Sequence, residues 1–315
     1  MTYRCNFRCR FCGYWHDPLG RKGEPSVEEY HLGARKLANT GTMLVSLAGG
    51  EPMIRQDLPE IVRAIGRYHF PFVTTNGWFV TEQSARELMA SGVWGVSVSI
   101  DYADPALHDA NRGVDGAWQA AWRAVELLSE ARVHKYQRVN VMSVLLNDNI
   151  DQLDALLKMA AARGAYFMIQ PYGHLKTGSR AHGHDDGPVS PRLLDLRSRF
   201  ANFLSNPHYL GRFDQFLAGG VPGCRAGHAF FNIDSAGDIA ICVERKDRPI
   251  ANLFVDSPQQ IHRKLRAAGK NNPCTDCWYN CRGEVESLYN PVGVVKSLPT
   301  LLLDRGRAPE AQPAE

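Results

Sequence analysis

The sequence predicts an α/β fold, a partial (βα)6 TIM-like barrel followed by a small domain built from a β-hairpin and a helix. Helix-like and strand-like segments alternate from about residue 27 to residue 170, which is typical of parallel sheets with right-handed crossovers. Polar and glycine-rich groups follow the predicted strands. In a barrel these strand ends converge on one mouth, where chemistry takes place.

The barrel elements are predicted from hydrophobic periodicity and cap signals. The first helix is expected at 27–39, where Ser26 and Glu29 have the spacing of a capping box. Further helices are expected at 57–68, 82–91, 115–131, 150–163 and near 191–204. Strands, which are apolar or β-branched runs between the helices, are expected at 43–47, 70–75, 94–100, 138–145 and 165–170.

The character of the sequence changes near residue 206. We expect a barrel over 1–206, a second domain over 207–295 and a tail over 296–315. Within the second domain, 230–241 reads as a β-hairpin that turns near Ser235–Asp238, with a cysteine close to each end. The tail from Arg305 is rich in Pro, Ala, Arg and Glu, and we expect it to be disordered.

Composition excludes several classes of function. The chain has 315 residues and a formal net charge of +3, with dispersed charges, so we expect no nucleic-acid partner and no anionic membrane. The sequence has no apolar run long enough to span a membrane, and Met1–Cys5 lacks the layout of a signal peptide. We therefore predict a soluble, cytoplasmic protein that acts on a small molecule or a peptide.

Eight cysteines form two groups that lie far apart in the sequence. The groups are Cys5, Cys9 and Cys12, and then Cys224, Cys242, Cys274, Cys277 and Cys281. Disulfide-stabilised secreted domains are small and dense in cysteine, whereas this chain is large and its cysteines are locally clustered. The distribution favours metal ligation in a reducing compartment.

The first group has the spacing CX3CX2C. Three thiolates on a four-iron cube leave one iron free to bind a substrate or cofactor, and thiolates suit iron–sulfur clusters. The alternative is a zinc knuckle with His16 as the fourth ligand, because structural zinc requires four closed ligands.

This spacing resembles the signature of the radical S-adenosylmethionine (radical SAM) superfamily. Gly49, Gly50, Glu51 and Pro52 resemble the family's GGEP motif, which follows the second strand and contacts the methionine amino group. The resemblance implies that Cys5, Cys9 and Cys12 hold a [4Fe-4S] cluster, that SAM binds its open iron, and that electron transfer from the cluster produces a 5′-deoxyadenosyl radical.

Other segments share the resemblance, which covers residues 3 to about 172. It implies cofactor contacts for Ser99, Asp101 and Arg112 at the fourth-strand segment and for Asn76 at the third-strand end. Phe11 matches the aromatic position beside the adenine. A surface salt bridge for Arg112 and a plain Asn-Gly turn at Asn76 are the ordinary alternatives.

The stretch before Cys5 departs from the family pattern. Only four residues are present where the family has a whole strand, so we expect either a rudimentary first strand or a clipped beginning. The same shortness favours a small-molecule substrate over a peptide.

The second cysteine group resembles the SPASM/twitch extension of the superfamily, because Cys224-X12-Gly237-X4-Cys242 fits its first half. The complete SPASM pattern has seven cysteines and two clusters. Five cysteines imply one auxiliary [4Fe-4S] cluster, with Cys224, Cys242, Cys274 and Cys277 as expected ligands. Cys281 then replaces Cys277, acts catalytically as a hydrogen-atom donor, or has no role. A zinc site is the alternative.

The resemblance implies that the radical abstracts hydrogen from a small-molecule substrate, with net oxidation or rearrangement assisted by the auxiliary cluster. An external donor such as flavodoxin or ferredoxin would supply electrons. The competing hypotheses are a peptide-modifying enzyme and a zinc-stapled binding protein without activity.

Six weaker candidates concern the barrel mouth and its surroundings. We expect Gln170 and Tyr172 to line the mouth, His182 and His184 to lie in a loop that could form a lid, and Trp278 and Tyr279 to shield a cluster from water.

Overall fold

The computed structural model describes residues 1–17, 23–289 and Val295. Its centre is a five-stranded parallel sheet whose strands are neighbours in chain order. The strands are β1 (Leu44–Leu47), β2 (Phe70–Thr75), β3 (Gly95–Ser99), β4 (Arg138–Leu145) and β5 (Tyr166–Pro171). The α/β fold and the partial TIM-like barrel are therefore confirmed.

Seven helices alternate with or follow these strands. They are α1 (Val27–Ala38), α2 (Leu58–Gly66), α3 (Glu82–Ala90), α4 (Pro105–Arg112), α5 (Ala117–Glu130), α6 (Leu153–Ala162) and α7 (Ser190–Arg199). At the start of α1, the Ser26 side chain accepts from the Glu29 N–H and the Glu29 carboxylate accepts from the Ser26 N–H, which is the predicted capping box.

Helix α4 lies between the predicted strand 94–100 and the predicted helix 115–131, where no helix was expected. The Asp104 side chain accepts a hydrogen bond from the Leu107 N–H at 2.9 Å, Pro105 takes the first helical position, and Gly113 ends the helix with φ of 71°. Because α4 is short, its caps are a stronger signal than its periodicity. The helix places Arg112 at its last residue.

Single parallel bridges extend both edges of the sheet. At one edge, Thr2 pairs with Gly49, which follows β1 in the chain. At the other edge, Phe203 pairs with Phe167 of β5. The Thr2 carbonyl accepts from the Gly50 N–H, and the Arg4 carbonyl accepts from the Glu51 N–H, both at 2.8 Å. Residues 2–4 therefore pair with the chain directly after β1, at the edge of the sheet.

Over the described residues from 207 to 289, the second region contains a small antiparallel sheet and four helices. The strands are β6 (Asn232–Ile233), β7 (Asp238–Ala240) and β8 (Ala251–Asn252), and the helices are α8 (Pro207–Leu210), α9 (Phe213–Gly219), α10 (Pro258–Gly269) and α11 (Asn280–Ser287). The predicted hairpin is present as β6 and β7, with shorter strands. Two residues of β8 carry too little pattern to predict.

The hydrophobic core continues across the expected boundary at residue 206. Tyr209, Phe213 and Trp278 are completely buried and belong to the same cluster as the barrel residues Phe167 and Ile169. A smaller cluster packs β7 and α10 against Leu37 of α1. The expected tail over 296–315 lies outside the described residues. Among those described, no helix has the length and apolarity to cross a membrane.

Candidate functional site

One cavity lies at the carboxyl ends of the strands and gathers most of the predicted site residues. Those lining it are Cys5, Cys9, Cys12, Phe11, Gly49, Gly50, Glu51, Asn76, Ser99 and Arg112. Pro52 and Asp101 do not line it. Residues that are widely separated in the sequence meet here because parallel strands bring their carboxyl ends to one edge.

The cysteine loop, residues 5–12, is fixed by its neighbours. The Arg8 and Arg10 N–H groups donate to the carbonyls of Arg112 and Asn111, at 3.3 and 3.0 Å. The Asn76 side chain donates to Asn6 at 2.9 Å. Asn76 therefore holds the loop as well as lining the cavity.

Gly49 and Gly50 are required by a close backbone approach. A Cβ on Gly49 would lie 2.1 Å from the Thr2 oxygen, and one on Gly50 would lie 2.0 Å from the Arg4 oxygen. Gly49 also has φ of 142°, which L-residues rarely adopt. These glycines bring the start of the chain, and with it Cys5, against the strand ends.

Glu51 is a buried carboxylate with three hydrogen-bond donors. The Thr75 hydroxyl and the Met53 N–H donate to Oε1 at 2.7 and 2.9 Å, and the Asn76 N–H donates to Oε2 at 2.6 Å. Burial raises the pKa of Glu51 to about 7, although these hydrogen bonds act to lower it. The side chain is thus a fixed acceptor that is poised to bind a cation.

Arg112 faces the cavity from the end of α4, and Asp101 lies behind it. Their side chains form an ion pair at 2.6 Å, and the Asp101 carboxylate also accepts from the Val144 N–H. The Arg112 guanidinium lies 5.2 Å from the Phe11 ring centre and 4.0 Å from the Cys9 sulfur. Direct cofactor contact was expected of Asp101, but its position is that of a residue orienting Arg112.

The three clustered thiols have the chemistry of an iron–sulfur site. All three cysteines are free of disulfides and face the same cavity. Burial raises the pKa of Cys9 to about 11, while the Arg112 charge opposes this increase and favours the thiolate. In the described part of the chain, no three His, Cys, Asp or Glu side chains are grouped to hold a single metal ion. A cubane differs because each thiolate binds its own iron, and three free thiols on one cavity fit that group.

The five auxiliary cysteines come from three separate segments and are also free of disulfides. Cys224 and Cys277 are buried, whereas Cys281 is exposed. The charge of Cys274 contributes to raising the pKa of Cys224 and of Cys242, in each case after the effect of burial. Burial and then the charge of Cys281 raise the pKa of Cys277 to about 12. Thiols from all three segments therefore influence one another's pKa.

Arg282 anchors this group from within the protein. Its side chain is completely buried and donates to the carbonyls of Cys277 and Val221, at 2.8 and 2.6 Å. It also pairs with Glu286 at 3.2 Å. Arg282 therefore joins the segments on which Cys224 and Cys277 lie.

The second region carries the five auxiliary cysteines and is called the auxiliary region below. It reaches the cavity through Tyr279. The ring lines the cavity, and its hydroxyl approaches so closely that a Cβ on Gly173 would lie 2.1 Å from it. Beside it, Lys176 pairs with Glu244 at 2.5 Å. From the sequence, Tyr279 was expected only to shield a cluster, and no role was predicted for Lys176 or Glu244. Their one sequence signal is that Lys176 follows the last strand and Glu244 follows Cys242.

Three of the weaker candidates, Gln170, Tyr172 and His182, line one of two cavities. Gln170 and Tyr172 line the first cavity, as predicted. His182 packs edge-on against Tyr172 and lines a second cavity with Arg10 and Tyr102. His184 is buried, with 8% of its surface exposed, and is not among the lining residues of either cavity.

Comparisons with known proteins agree with this geometry. The chain is 29% identical over 310 residues to the mycofactocin maturase MftC of Mycolicibacterium smegmatis, covering 90% of this chain and 76% of that protein. It is 30% identical over 178 residues to the AdoMet-dependent heme synthase of Oleidesulfovibrio alaskensis, covering 55% of this chain and 45% of that protein.

Among solved structures, the chain resembles Streptococcus suis SuiB bound to the precursor peptide SuiA, with a TM-score of 0.65 and 18% identity. The similarity covers 83% of this chain, which spans 62% of the SuiB chain. The model of the Radical SAM superfamily matches residues 1–160, and these include the cysteine loop, the Gly49–Gly50–Glu51–Pro52 turn and Arg112. The chain belongs to the Radical SAM superfamily.

Proposed function

We propose that this enzyme acts on a small-molecule substrate held in the cavity at the barrel mouth, and that its net reaction is an oxidation or rearrangement assisted by one auxiliary [4Fe-4S] cluster. The observation that carries the proposal is the position of Tyr279. It lies between Cys277 and Cys281 in the sequence, yet its ring lines the same cavity as Cys5, Cys9 and Cys12.

Radical SAM enzymes use a [4Fe-4S] cluster and SAM, which together supply a 5′-deoxyadenosyl radical able to abstract hydrogen from an unactivated carbon. In this chain Cys5, Cys9 and Cys12 are the ligands we assign to that cluster, since they are unpaired and share one cavity. Glu51, with its fixed acceptor atoms, is assigned to the methionine amino group of SAM. Arg112 is assigned to the SAM carboxylate or ribose, and Asp101 to holding Arg112.

The remaining lining residues orient the cofactor and exclude water. Gly49, Gly50, Asn76 and Ser99 line the part of the cavity that we assign to SAM, which we call the cofactor end. Phe11 lies there beside Arg112. Pro52 starts the short 3-10 helix Pro52–Ile54, which positions the Met53 N–H on Glu51. A cavity walled by protein strengthens electrostatic interactions and prevents loss of reactive species to solvent.

For the auxiliary cluster we assign Cys224, Cys242, Cys274 and Cys277 as ligands, because all four are free of disulfides and Arg282 joins the segments that carry Cys224 and Cys277. Cys281 is then left as a hydrogen-atom donor or as the ligand that replaces Cys277. Cys281→Ala distinguishes these roles. Loss of product with iron content unchanged supports the donor role, and loss of about four irons per chain supports ligation.

Electrons would come from an external protein such as flavodoxin or ferredoxin. The cysteine loop presents Arg8 and Arg10 to solvent, and their positive charge suits an acidic donor surface.

A peptide substrate is the second candidate, because the fold resembles that of SuiB, whose structure contains the precursor peptide SuiA. In this case Cys281 as hydrogen donor would serve epimerisation of a residue, whereas crosslinking, a net two-electron oxidation, would need no hydrogen donor. This candidate would be favoured if an added peptide prevented small carboxylic acids from binding in the cavity.

The deciding experiment is anaerobic reconstitution, followed by incubation with dithionite and SAM. We expect 5′-deoxyadenosine and about eight irons per chain, since each [4Fe-4S] cluster carries four. About four irons would remove the auxiliary cluster from the proposal. A colourless protein that contains zinc and no labile sulfide would contradict the proposal altogether.

A further inference from the structure

Two ion pairs flank the cavity in the same arrangement. Arg112 pairs with Asp101 at 2.6 Å and Lys176 pairs with Glu244 at 2.5 Å. In each pair the cation lines the cavity, while the carboxylate does not. Each carboxylate therefore holds a positively charged group toward the cavity from outside its wall.

The two cations lie on different walls. Arg112 belongs to the cofactor end, beside Phe11 and Cys9. Lys176 follows β5 and lies against Tyr279 of the auxiliary region, on the wall that Gln170 and Tyr172 also form. The described lining contains three charged side chains, Glu51, Arg112 and Lys176. Lys176 is the one of these three that the cofactor assignment does not use.

Lys176 is held in place from several directions. Its ammonium lies 5.0 Å from the ring centres of both Tyr14 and Tyr279. A Cβ on Gly13 would lie 2.5 Å from the Lys176 carbonyl oxygen. The residue directly after the cysteine loop therefore packs on the Lys176 backbone. Burial acts to lower the pKa of Lys176, but the Tyr14 phenol and the Glu244 carboxylate beside it outweigh burial and raise the pKa. The side chain is therefore a preorganised ammonium, 23% exposed.

We propose that Lys176 binds a carboxylate of the substrate, and that the enzyme acts on a carboxylic acid whose apolar or aromatic body lies against Tyr172 and Met142. An ammonium has three N–H donors, and Glu244 occupies one of them. A carboxylate is the acceptor that gains most from such a donor in a half-buried site. The proposal rests on the proposed function only in placing the substrate in this cavity.

The methionine carboxylate of SAM has the same chemistry, so the experiment must separate the two sources. Binding of benzoate is measured by anaerobic calorimetry to the reconstituted enzyme saturated with SAM, with neutral benzamide as the isosteric probe. SAM affinity is measured separately for each variant. The variants are Lys176→Gln, Lys176→Arg and Lys246→Gln. Lys246 contacts the same Tyr14 ring at 5.2 Å but does not line the cavity, which makes it the matched control.

We expect Lys176→Gln to weaken benzoate binding about tenfold or more, because a charged hydrogen bond is lost. Benzamide binding, SAM affinity and iron content should stay unchanged, and Lys176→Arg should retain most of the benzoate affinity. Lys246→Gln should bind benzoate like the wild type.

Equal benzoate binding by Lys176→Gln and wild type would overturn the proposal, as would benzoate that binds the wild type no better than benzamide. A loss of SAM affinity in Lys176→Gln would overturn the assignment to substrate and give the carboxylate to the cofactor. Failure of the proposed function would appear differently, as missing 5′-deoxyadenosine or as fewer than about eight irons per chain.

Discussion

The two cysteine groups are assembled from different ranges of sequence. Cys5, Cys9 and Cys12 lie within eight residues, and backbone contacts to Arg112, Asn111 and the strand ends hold their loop. The five auxiliary thiols come from three separate segments, joined by the buried Arg282 and by packing on the barrel core. A site made from one short loop can be recognised from spacing alone, whereas a site made from distant segments depends on the fold.

The largest difference between the groups should appear when one ligand is removed from each. We expect Cys9→Ala to lose about four irons per chain and to abolish 5′-deoxyadenosine formation, since each cluster carries four irons. Cys224→Ala should also lose about four irons but should still cleave SAM. Iron analysis and chromatography of reductive SAM cleavage measure both. SAM cleavage that disappears equally in both variants would show that the groups are not separate centres.

Removal of Arg282 should damage the auxiliary group selectively. Arg282→Met leaves Glu286 and two carbonyls without their buried partner, so we expect the free energy of unfolding to fall by about 3 kcal/mol. Denaturant unfolding under anaerobic conditions measures this change, and iron content should fall toward four. Arg266→Met, at an exposed position on α10, is the control. Wild-type stability and full iron content in Arg282→Met would refute the anchoring role.

Gly50→Ala tests the backbone contact that places the cysteine loop. The added Cβ would lie 2.0 Å from the Arg4 oxygen, so we expect destabilisation of roughly 1–3 kcal/mol and weaker SAM binding. Gly219→Ala is the matched control, because a Cβ there meets no atom within 4 Å. Thermal unfolding compares the two variants. Equal melting temperatures would mean that the start of the chain can shift without cost.

The smallest expected effect concerns pH. Burial raises the pKa of Glu51 to about 7, so its charged form increases as pH rises through 7. If Glu51 binds the amino group of SAM, affinity should increase about tenfold between pH 6 and pH 8, following the charged fraction. Equilibrium binding across this range should give a flat profile for Glu51→Gln and the wild-type profile for Glu60→Gln. A flat wild-type profile would exclude Glu51 as this group.

Most of the barrel could be predicted from the sequence. The strands from β2 to β5 have strong apolar runs, and β4 has the predicted bounds, Arg138–Leu145. Helix α4 was missed because it is short, and β8 because it has two residues. Hydrophobic periodicity detects elements that bury a long face, and neither of these does.

The candidate site was predictable where local motifs carry it. The cysteine loop, Glu51 and Arg112 were identified by residue type and spacing, and all of them line the cavity. The position of Asp101 behind Arg112 follows from the turn into α4, which was not expected. Lys176, Glu244 and Tyr279 meet only because the second region packs on the barrel, and no local pattern encodes a contact between residues so far apart.

The continuous core has a consequence for how the protein responds to iron. Tyr209, Phe213 and Trp278 share one apolar cluster with the barrel strands, so the two regions should melt in a single cooperative transition. A group that binds only the folded chain adds its binding free energy to the stability of the whole unit. Iron loaded at the auxiliary cysteines would thus raise the melting temperature of the whole barrel, including the turn that presents Glu51.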